Sequence, residues 1–144
     1  MRLTSFSDYC LRVLMYVGAK EDGLATIAEI ASAYGISRNH LMKVVHRLGQ
    51  LDYLATVRGR GGGFRLAKPP SHINLGRLIR ETEEDLTIVE CFQRNATDCA
   101  IEPACVLKSV LREALDAFLK VLDGHTLDDL LKPRSRLKRL LAIA

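Results

Sequence analysis

The feature that most constrains this chain is a pair of short amphipathic segments separated by a glycine, TIAEIASAYGISRNHLMKVVHRLGQL at positions 26–51. Thr26, followed three residues later by Glu29, has the spacing of a capping box and predicts the start of a helix. Gly35 can take the left-handed conformation that ends a helix. Ser37 can then cap a second helix. Two short helices joined by a tight glycine-containing turn form a helix-turn-helix, so the pattern predicts that motif.

A β-hairpin is predicted directly after the second helix. Strand-prone runs at 53–57 and 64–67 flank the glycine-rich segment RGRGGG at 58–63. A glycine tip between two such runs is typical of a hairpin. A hairpin in this position extends the motif to a winged helix-turn-helix.

Three further helices are predicted around this motif. The first is expected to begin at Asp8 with Ser7 as its cap, and another covers INLGRLIRETE at 73–83. The longest, ACVLKSVLREALDAFLKVLDG at 104–124, has apolar residues at helical spacing and ends at a glycine. The fold class is therefore mainly α, with a hairpin wing and a long C-terminal helix. The basic tail KPRSRLKRLLAIA is expected to be frayed.

Charge is distributed unevenly along the chain. Residues 1–80 carry a net charge of +7, residues 81–131 carry −8, and residues 132–144 carry +5. A basic half beside an acidic middle favours a polyanionic partner for the basic half, and double-stranded DNA fits the predicted motif. No secretory signal and no apolar run long enough to span a membrane is present, so we expect a cytoplasmic protein with reduced thiols.

The residues expected to contact DNA lie on the second helix and on the wing. In a helix-turn-helix, the N-terminal part of the second helix enters the major groove. Arg38 and Asn39 can read guanine and adenine there, whereas Lys43 and Arg47 are expected to contact phosphates. An arginine on a glycine-rich wing suits a narrow minor groove. The full predicted set is Ser37, Arg38, Asn39, His40, Lys43, Arg47, Arg58, Arg60 and Arg65.

Three of the four cysteines lie within fifteen residues, as Cys91, Cys99 and Cys105, separated by gaps of seven and five residues. Reduced thiols so close together indicate metal or redox chemistry. Zinc usually takes four ligands, often in C-x-x-C pairs, and the longer gaps favour an iron–sulfur cluster instead. The same absence of C-x-x-C argues against a thiol oxidoreductase. A zinc-stabilised DNA-binding module remains an alternative.

A family resemblance covers nearly the whole chain. The segments MRLTSFSDYCLRVLMYV, AEIASAYGISRNHLMKVVHRL and VRGRGGGFRLAKPP, with three cysteines before a long helix, resemble the Rrf-type winged-helix iron–sulfur regulators. Within that family the chain looks most like the nitric-oxide-sensing repressors. The resemblance implies a homodimer paired through the long helix, a palindromic operator, and a cluster held by Cys91, Cys99 and Cys105. We expect a 4Fe-4S cluster, with a 2Fe-2S cluster as the alternative. The resemblance also implies that nitrosylation of the cluster lowers operator affinity.

Two points of this resemblance stay open. The family's regulators of cluster assembly carry a histidine three residues after the third cysteine, where this chain has Lys108. That departure argues against such a role, but a regulator of iron–sulfur cluster assembly or cysteine supply remains the alternative function. The fourth cluster ligand could be Asp8 from the partner subunit, Cys10, His125 or solvent, although Cys10 is interpreted first as a core residue.

The predicted elements also divide the chain. We expect a winged helix-turn-helix DNA-binding domain over 1–82 and a cluster-binding loop over 83–105. A dimerisation helix with a short helical turn is expected over 106–131, followed by a basic tail over 132–144.

Overall fold

The structure, a computed structural model, describes residues 2–93 and 99–144. The regular elements in the described chain, in order, are α1 (Ser5–Lys20), α2 (Ile27–Tyr34), α3 (Arg38–Gln50), β1 (Leu54–Val57), β2 (Gly63–Leu66), α4 (Leu75–Thr82), α5 (Val106–Asp123), α6 (Leu127–Leu130) and α7 (Arg134–Leu140). The fold is thus mainly helical with one two-stranded antiparallel sheet, as the sequence predicts.

Helix α1 forms the centre of the fold, because it packs against α3, α4, α6, α7 and β2. Cys10, in its middle, is fully buried among apolar side chains. The predicted cap at Ser7 is wrong: the helix starts at Ser5, and the Thr4 hydroxyl oxygen accepts the Ser7 N–H at 3.2 Å. Ser7 is buried, and its hydroxyl donates to Thr82 Oγ1 of α4 at 2.8 Å. The predicted capping hydroxyl therefore serves a tertiary contact.

The helix-turn-helix forms as predicted. The Thr26 N–H donates to Glu29 Oε2 at 2.8 Å, and the Glu29 N–H donates back to Thr26 Oγ1 at 3.3 Å. Gly35 ends α2 with φ at 66°. Ser37 then caps α3 by accepting the His40 N–H at 3.3 Å. These local hydrogen bonds satisfy donors that each helix start would otherwise leave unpaired.

The wing pairs β1 with β2 in a register that sets Leu54 opposite Leu66 and Val57 opposite Gly63. A third piece of backbone joins it, since Ala25 and Phe64 exchange two N–H···O bonds of 2.9 Å. At Gly63 a Cβ atom would lie 2.4 Å from the Ala25 carbonyl oxygen. Only glycine lets the second strand come this close to the segment before α2.

Helices α4 and α5 form the other side of the molecule. Leu75, Leu78 and Ile79 lie on the inward side of α4 and are buried. Helix α5 packs on α4, yet none of its residues, all of which the structure describes, is buried. Its C-terminal end is fastened by the Asn74 side-chain amide, which donates to the Asp123 carbonyl oxygen at 2.7 Å.

The basic tail is ordered as α7, which corrects the expectation that it is frayed. Helix α7 packs on α1, and Ile143 after it is only 9% exposed. The Glu21 carboxylate at the end of α1 accepts hydrogen bonds from Arg134 and from Lys138, the latter at 3.1 Å. Apolar contacts and opposite charge therefore hold the tail on the body of the protein.

Candidate nucleic-acid interface and cysteine segment

The N-terminal turn of α3 presents the predicted reading residues to solvent. Ser37, Arg38, Asn39 and His40 are all exposed, and Ser37 caps the helix. The buried residues of α3 lie on the opposite side and anchor it against α1 and α2. The turn is therefore held in place by the core, and its polar side chains are exposed on the other side.

The exposed face of α3 continues beyond this turn. Asn39, Lys43, His46 and Gln50 are all exposed and follow one another at helical spacing, so they share one face. Met42 lies beside them and is 56% exposed. No DNA contact is predicted from the sequence for His46, Gln50 or Met42. His46 could have been found, because it lies seven residues after Asn39 and therefore on the same helix face.

Arg47 and His40 lie toward neighbouring helices and not on this outer face. The Arg47 guanidinium reaches the Glu81 carbonyl oxygen of α4 at 3.5 Å. The His40 ring is 6.1 Å from the Tyr9 ring of α1, measured between centroids. Both side chains are exposed, but each is also part of the packing between α3 and the helices next to it.

The wing carries its three arginines on the outside. Arg58, Arg60 and Arg65 are all exposed, and Arg58 and Arg60 flank the first glycine of the tip. The tip is tight, because the Gly62 N–H donates to the Gly59 carbonyl oxygen at 3.0 Å. Three guanidinium groups on a compact hairpin suit contact with a phosphate backbone.

The three clustered cysteines flank the part of the chain outside the described residues. Cys91 is half-buried in a 3-10 turn at Glu90–Phe92, Cys99 is exposed, and Cys105 is half-buried at the N-cap of α5. Of the predicted cluster-binding loop over 83–105, residues 94–98 lie outside the described residues. All three thiols are free and all three lie outside the apolar core.

The donor chemistry of this segment fits an iron–sulfur cluster, because such clusters are held by cysteine thiolates. Within residues 2–93 and 99–144, however, no three His, Cys, Asp or Glu side chains are grouped closely enough to hold a metal ion. Cys105 sits at the helix N-terminus, where the dipole favours an anionic sulfur. The fit therefore rests on ligand chemistry and position, and a bound cluster would require the three sulfurs to draw together.

Positive side chains surround the Cys91 end of the segment. Lys108 donates to Glu102 Oε1 at 2.5 Å, and this hydrogen bond raises the pKa of Lys108. A lysine held protonated cannot supply a lone pair to a metal. The Arg112 guanidinium lies over the Phe92 ring, 4.2 Å from its centroid. The histidine position of the cluster-assembly regulators is thus occupied by a fixed cation.

The candidate fourth ligands differ sharply in their surroundings. Burial raises the pKa of Cys10 to about 12, with the positive charge of Arg47 opposing it, so Cys10 is a poor thiolate and the core interpretation holds. His125 follows the far end of α5, about 27 Å from Cys105 at 1.5 Å per residue. Asp8 is 42% exposed and pairs with Arg12 at 2.8 Å. Asp8 is therefore exposed enough to meet a second subunit.

The outer face of α5 is apolar and heptad-spaced. Steps of three and four residues connect its members, which are all exposed. They are Leu107, Val110, Ala114, Ala117 and Val121. Leu107, Val110 and Val121 are 61%, 53% and 63% exposed. Such a row is the seam by which one helix packs on another, and alanines at its middle let two helices approach closely.

Comparison with known proteins assigns the family. A model of the Rrf2 family, described as "Iron-dependent Transcriptional regulator", matches residues 3–133. The chain belongs to the Rrf2 family. Rrf2 members are transcriptional regulators, so the chain is a regulator with a winged helix-turn-helix and not an enzyme. Helix α7 lies just beyond the matched part of this Rrf2 chain.

Individual Rrf2 relatives agree with this assignment. Over 142 residues the chain is 54% identical to the HTH-type transcriptional regulator NsrR of Bacillus subtilis (strain 168), covering 98% of this chain and 97% of that protein. The structure of CymR, the global cysteine regulator of B. subtilis, superposes with a TM-score of 0.74 at 27% identity, covering 90% of this chain and 95% of that one. T. potens IscR gives 0.73 at 26% identity, covering 92% and 88%.

The described part of the chain contains no helix long and apolar enough to cross a membrane.

Proposed function

We propose that this protein is a homodimeric transcriptional repressor that binds a palindromic operator and releases it when nitric oxide reaches an iron–sulfur cluster. Cys91, Cys99 and Cys105 are the protein ligands, and Asp8 of the partner subunit is the candidate fourth ligand. The observation that carries the proposal is the direct attachment of Cys105 to α5, a helix whose apolar seam is exposed. In this proposal the predicted boundaries after residues 82, 105 and 131 separate a DNA-binding domain, a cluster-binding loop, a pairing helix and the basic tail.

DNA recognition uses the exposed face of α3 and the wing. Asn39 and Lys43 lie on the outer face of α3, with Arg38 beside them in its first turn. Arg38 and Asn39 suit base edges, while Lys43 and the wing arginines Arg58 and Arg60 suit phosphates. Arg47 makes at most a phosphate contact from the flank, since its guanidinium already reaches the Glu81 carbonyl oxygen.

Pairing uses the seam on α5. Exposed apolar side chains at heptad spacing favour a second helix over solvent, and a second copy of α5 presents the same seam. A two-fold axis near Ala114 and Ala117 would bring the closest backbone approach to the middle of the helix. Two-fold symmetry places two α3 helices in related orientations, and such dimers read half-sites with matching symmetry.

Sensing uses the position of the cysteine segment. A bound cluster supplies iron atoms that nitric oxide can attack, and the chain's resemblance to nitric-oxide-sensing repressors supports this signal. The protein would hold three thiolates next to the N-terminus of α5. When the cysteines no longer bind the cluster, that end of the pairing helix would be released. A coupling of only about 3 kcal/mol between ligation and DNA binding changes operator affinity by about two orders of magnitude.

The central experiment purifies the protein without oxygen and titrates nitric oxide. Visible absorption follows the cluster, and fluorescence anisotropy follows binding to a duplex selected by the untreated protein from a random pool. We expect the absorption change and the loss of DNA binding to proceed together. Colourless protein with full affinity for the selected duplex, or equal affinity with and without the cluster, would refute the sensing mechanism.

Two cysteine variants form a matched pair for this test. Cys99→Ala removes an exposed predicted ligand and should abolish the visible absorption, whereas Cys10→Ala removes a core thiol and should leave the absorption per folded protein unchanged. Loss of colour in both, or in neither, contradicts the assignment of Cys91, Cys99 and Cys105 as the ligand set.

A second matched pair tests DNA reading. Arg38→Ala should relax base preference in a new selection, because a two-pronged contact to guanine is lost. Lys43→Ala should weaken all duplexes alike and reduce the salt dependence of binding. If both substitutions produce the same sequence-independent loss, Arg38 does not read bases.

The same measurements separate the alternative functions. A regulator of cluster assembly or cysteine supply would carry a cluster or respond to thiols, yet its DNA binding would be insensitive to nitric oxide. Structural similarity to the cysteine regulator CymR motivates this comparison. A zinc-stabilised module would contain zinc without sulfide and would unfold on chelation.

A further inference from the structure

The root of the wing contains a hydrogen-bonded cluster that the proposed DNA contacts do not use. Tyr53 precedes β1 and is only 2% exposed. Its phenol O–H donates to the Glu81 carboxylate, the oxygen atoms lying 2.5 Å apart. Glu81 lies in the last turn of α4 and also accepts the Arg77 Nε–H at 2.8 Å. Lys68, just after β2, places its ammonium group 4.6 Å from the centre of the Tyr53 ring.

The backbone of Tyr53 joins the recognition helix to both strands of the wing. Its N–H donates to the Leu48 carbonyl oxygen near the end of α3, at 2.9 Å. Its carbonyl oxygen accepts the Ala67 N–H beyond β2, also at 2.9 Å. Asp52, directly before it, turns the chain with φ at 57°. Tyr53 is therefore one of the points that fix the orientation of the wing relative to α3, beside the backbone bonds between Ala25 and Phe64.

Glu81 holds the side chain of that residue. Burial works against the Glu81 carboxylate, but the hydrogen bonds from Tyr53 and Arg77 outweigh it and keep its pKa below the ordinary value. Burial, followed by the bond to Glu81, raises the pKa of Tyr53, so the phenol stays a donor. A charged acceptor makes this hydrogen bond stronger than one between neutral groups.

The same short helix is fixed to α5 on another face. Arg80 donates to both carboxylate oxygens of Asp123 at 2.5 and 2.9 Å, and the Asn74 side-chain amide donates to the Asp123 carbonyl oxygen at 2.7 Å. Gly76 faces Asp123 so closely that a Cβ would lie 1.9 Å from its Oδ1. Helix α4 thus connects the end of α5 to the wing root as a single rigid piece.

From these contacts we infer that Glu81 is a positioning residue for DNA binding. It fixes Tyr53 and so sets the angle between the wing and α3. Through α4, the same contacts fix the wing relative to α5. The inference rests on the proposed DNA-binding function. Glu81 itself needs no contact with DNA, because it acts through the arginines of the wing.

The test uses the full-length protein and a double-mutant cycle. Tyr53→Phe removes only the hydroxyl, and it is compared in the native background and in a background carrying Arg58→Ala, Arg60→Ala and Arg65→Ala. In the native background we expect affinity for the selected duplex to fall about tenfold, within the range of coupled contacts. In the arginine-free background we expect a change of less than about twofold, because no wing contact remains to be misplaced.

Controls separate positioning from stability. Tyr16→Phe removes a hydroxyl from another buried tyrosine, packed against Tyr34, and should leave affinity unchanged. Glu81→Ala should reproduce the effect of Tyr53→Phe. The double variant should lose no more affinity for the selected duplex than either single variant. Equal losses of affinity in both wing backgrounds, or no loss in either, overturn the inference.

A measurement without DNA distinguishes this inference from the proposed function. Amide residual dipolar couplings report the orientation of the wing relative to α3 in the free protein. We expect Tyr53→Phe to change the couplings of 54–66 as a group, while those within α3 keep their mutual pattern. If the protein selects no duplex yet these couplings change, DNA binding is refuted, and what stands is that the bond between Tyr53 and Glu81 sets the angle between the wing and α3. Unchanged couplings refute positioning whether or not the protein binds DNA.

Discussion

Gly63→Ala should damage the junction between the wing and the segment before α2. The added Cβ would lie 2.4 Å from the Ala25 carbonyl oxygen and 3.0 Å from the Leu24 Cβ. Neither neighbour is the end of a flexible side chain, so the backbone must separate. Separation breaks the two bonds between Ala25 and Phe64, each 2.9 Å long.

The expected cost follows from those contacts. Two hydrogen bonds contribute about 1 kcal/mol each, and forcing an extra methyl into a packed site adds roughly another 1–2 kcal/mol. The free energy of unfolding should therefore fall by about 3–4 kcal/mol. At about 3–4 °C per kcal/mol for a chain of this size, the melting temperature should fall by roughly 9–16 °C.

Urea and thermal unfolding followed by circular dichroism measure this, with all variants at one protein concentration because dimerisation is linked to stability. Two other glycines calibrate the result. Gly61→Ala meets no atom within 4 Å but must adopt φ at 72°, and should cost about 1 kcal/mol. Gly49→Ala, near the end of α3, should be neutral or stabilising by about 0.5–1 kcal/mol. A Gly63→Ala protein as stable as the Gly49→Ala protein would refute the close-approach argument.

Three further predictions follow from burial and charge. Cys10→Ser buries a hydroxyl in the core and should cost about 1–3 kcal/mol in urea unfolding without changing iron per folded protein; loss of iron would reopen Cys10 as a ligand. Ala114→Glu should convert dimer to monomer in sedimentation, while Ser109→Glu, off the seam, should not; equal behaviour would place pairing elsewhere. The Lys132 hydrogen bond and the Thr126 N–H lower the pKa of Asp129 from 3.8 to about 2. The ionised form therefore stabilises the fold above about pH 4, and this contribution disappears as the pH falls toward 2. Asp129→Asn should remove that part of the acid dependence, and an unchanged acid transition would contradict it.

Much of the DNA-binding half could be predicted because its signals are local. The capping box at Thr26, the left-handed Gly35 and the cap at Ser37 each depend on residues three or four positions apart. Hairpin strands and a glycine tip are likewise read from neighbouring residues. For the same reason the exposure of Arg38 and Asn39 followed from helical periodicity alone.

The long helix shows the limit of this reasoning. Periodicity identified an apolar stripe on α5, and Leu111 and Leu115 of that stripe are half-buried against the protein's own body. Leu107, Val110 and Ala114 belong to the same predicted stripe but are exposed, and with Ala117 and Val121 they form a second seam that periodicity did not separate from the covered row. A helix that packs on two partners carries two apolar rows, and only tertiary structure shows which row its own chain already covers.

What the sequence by itself determined is the order of helices and hairpin, together with the residue types that suit DNA and soft metals. Tertiary structure alone decided contacts between distant positions. Ser7 hydrogen-bonds to Thr82, so Thr4 caps α1 instead. The tail forms α7 because its apolar side chains pack on α1. The bond between Tyr53 and Glu81 belongs to the same class. Caps and periodicities act over a single helical turn, whereas these partners meet only after the chain has packed, so no local pattern contains them.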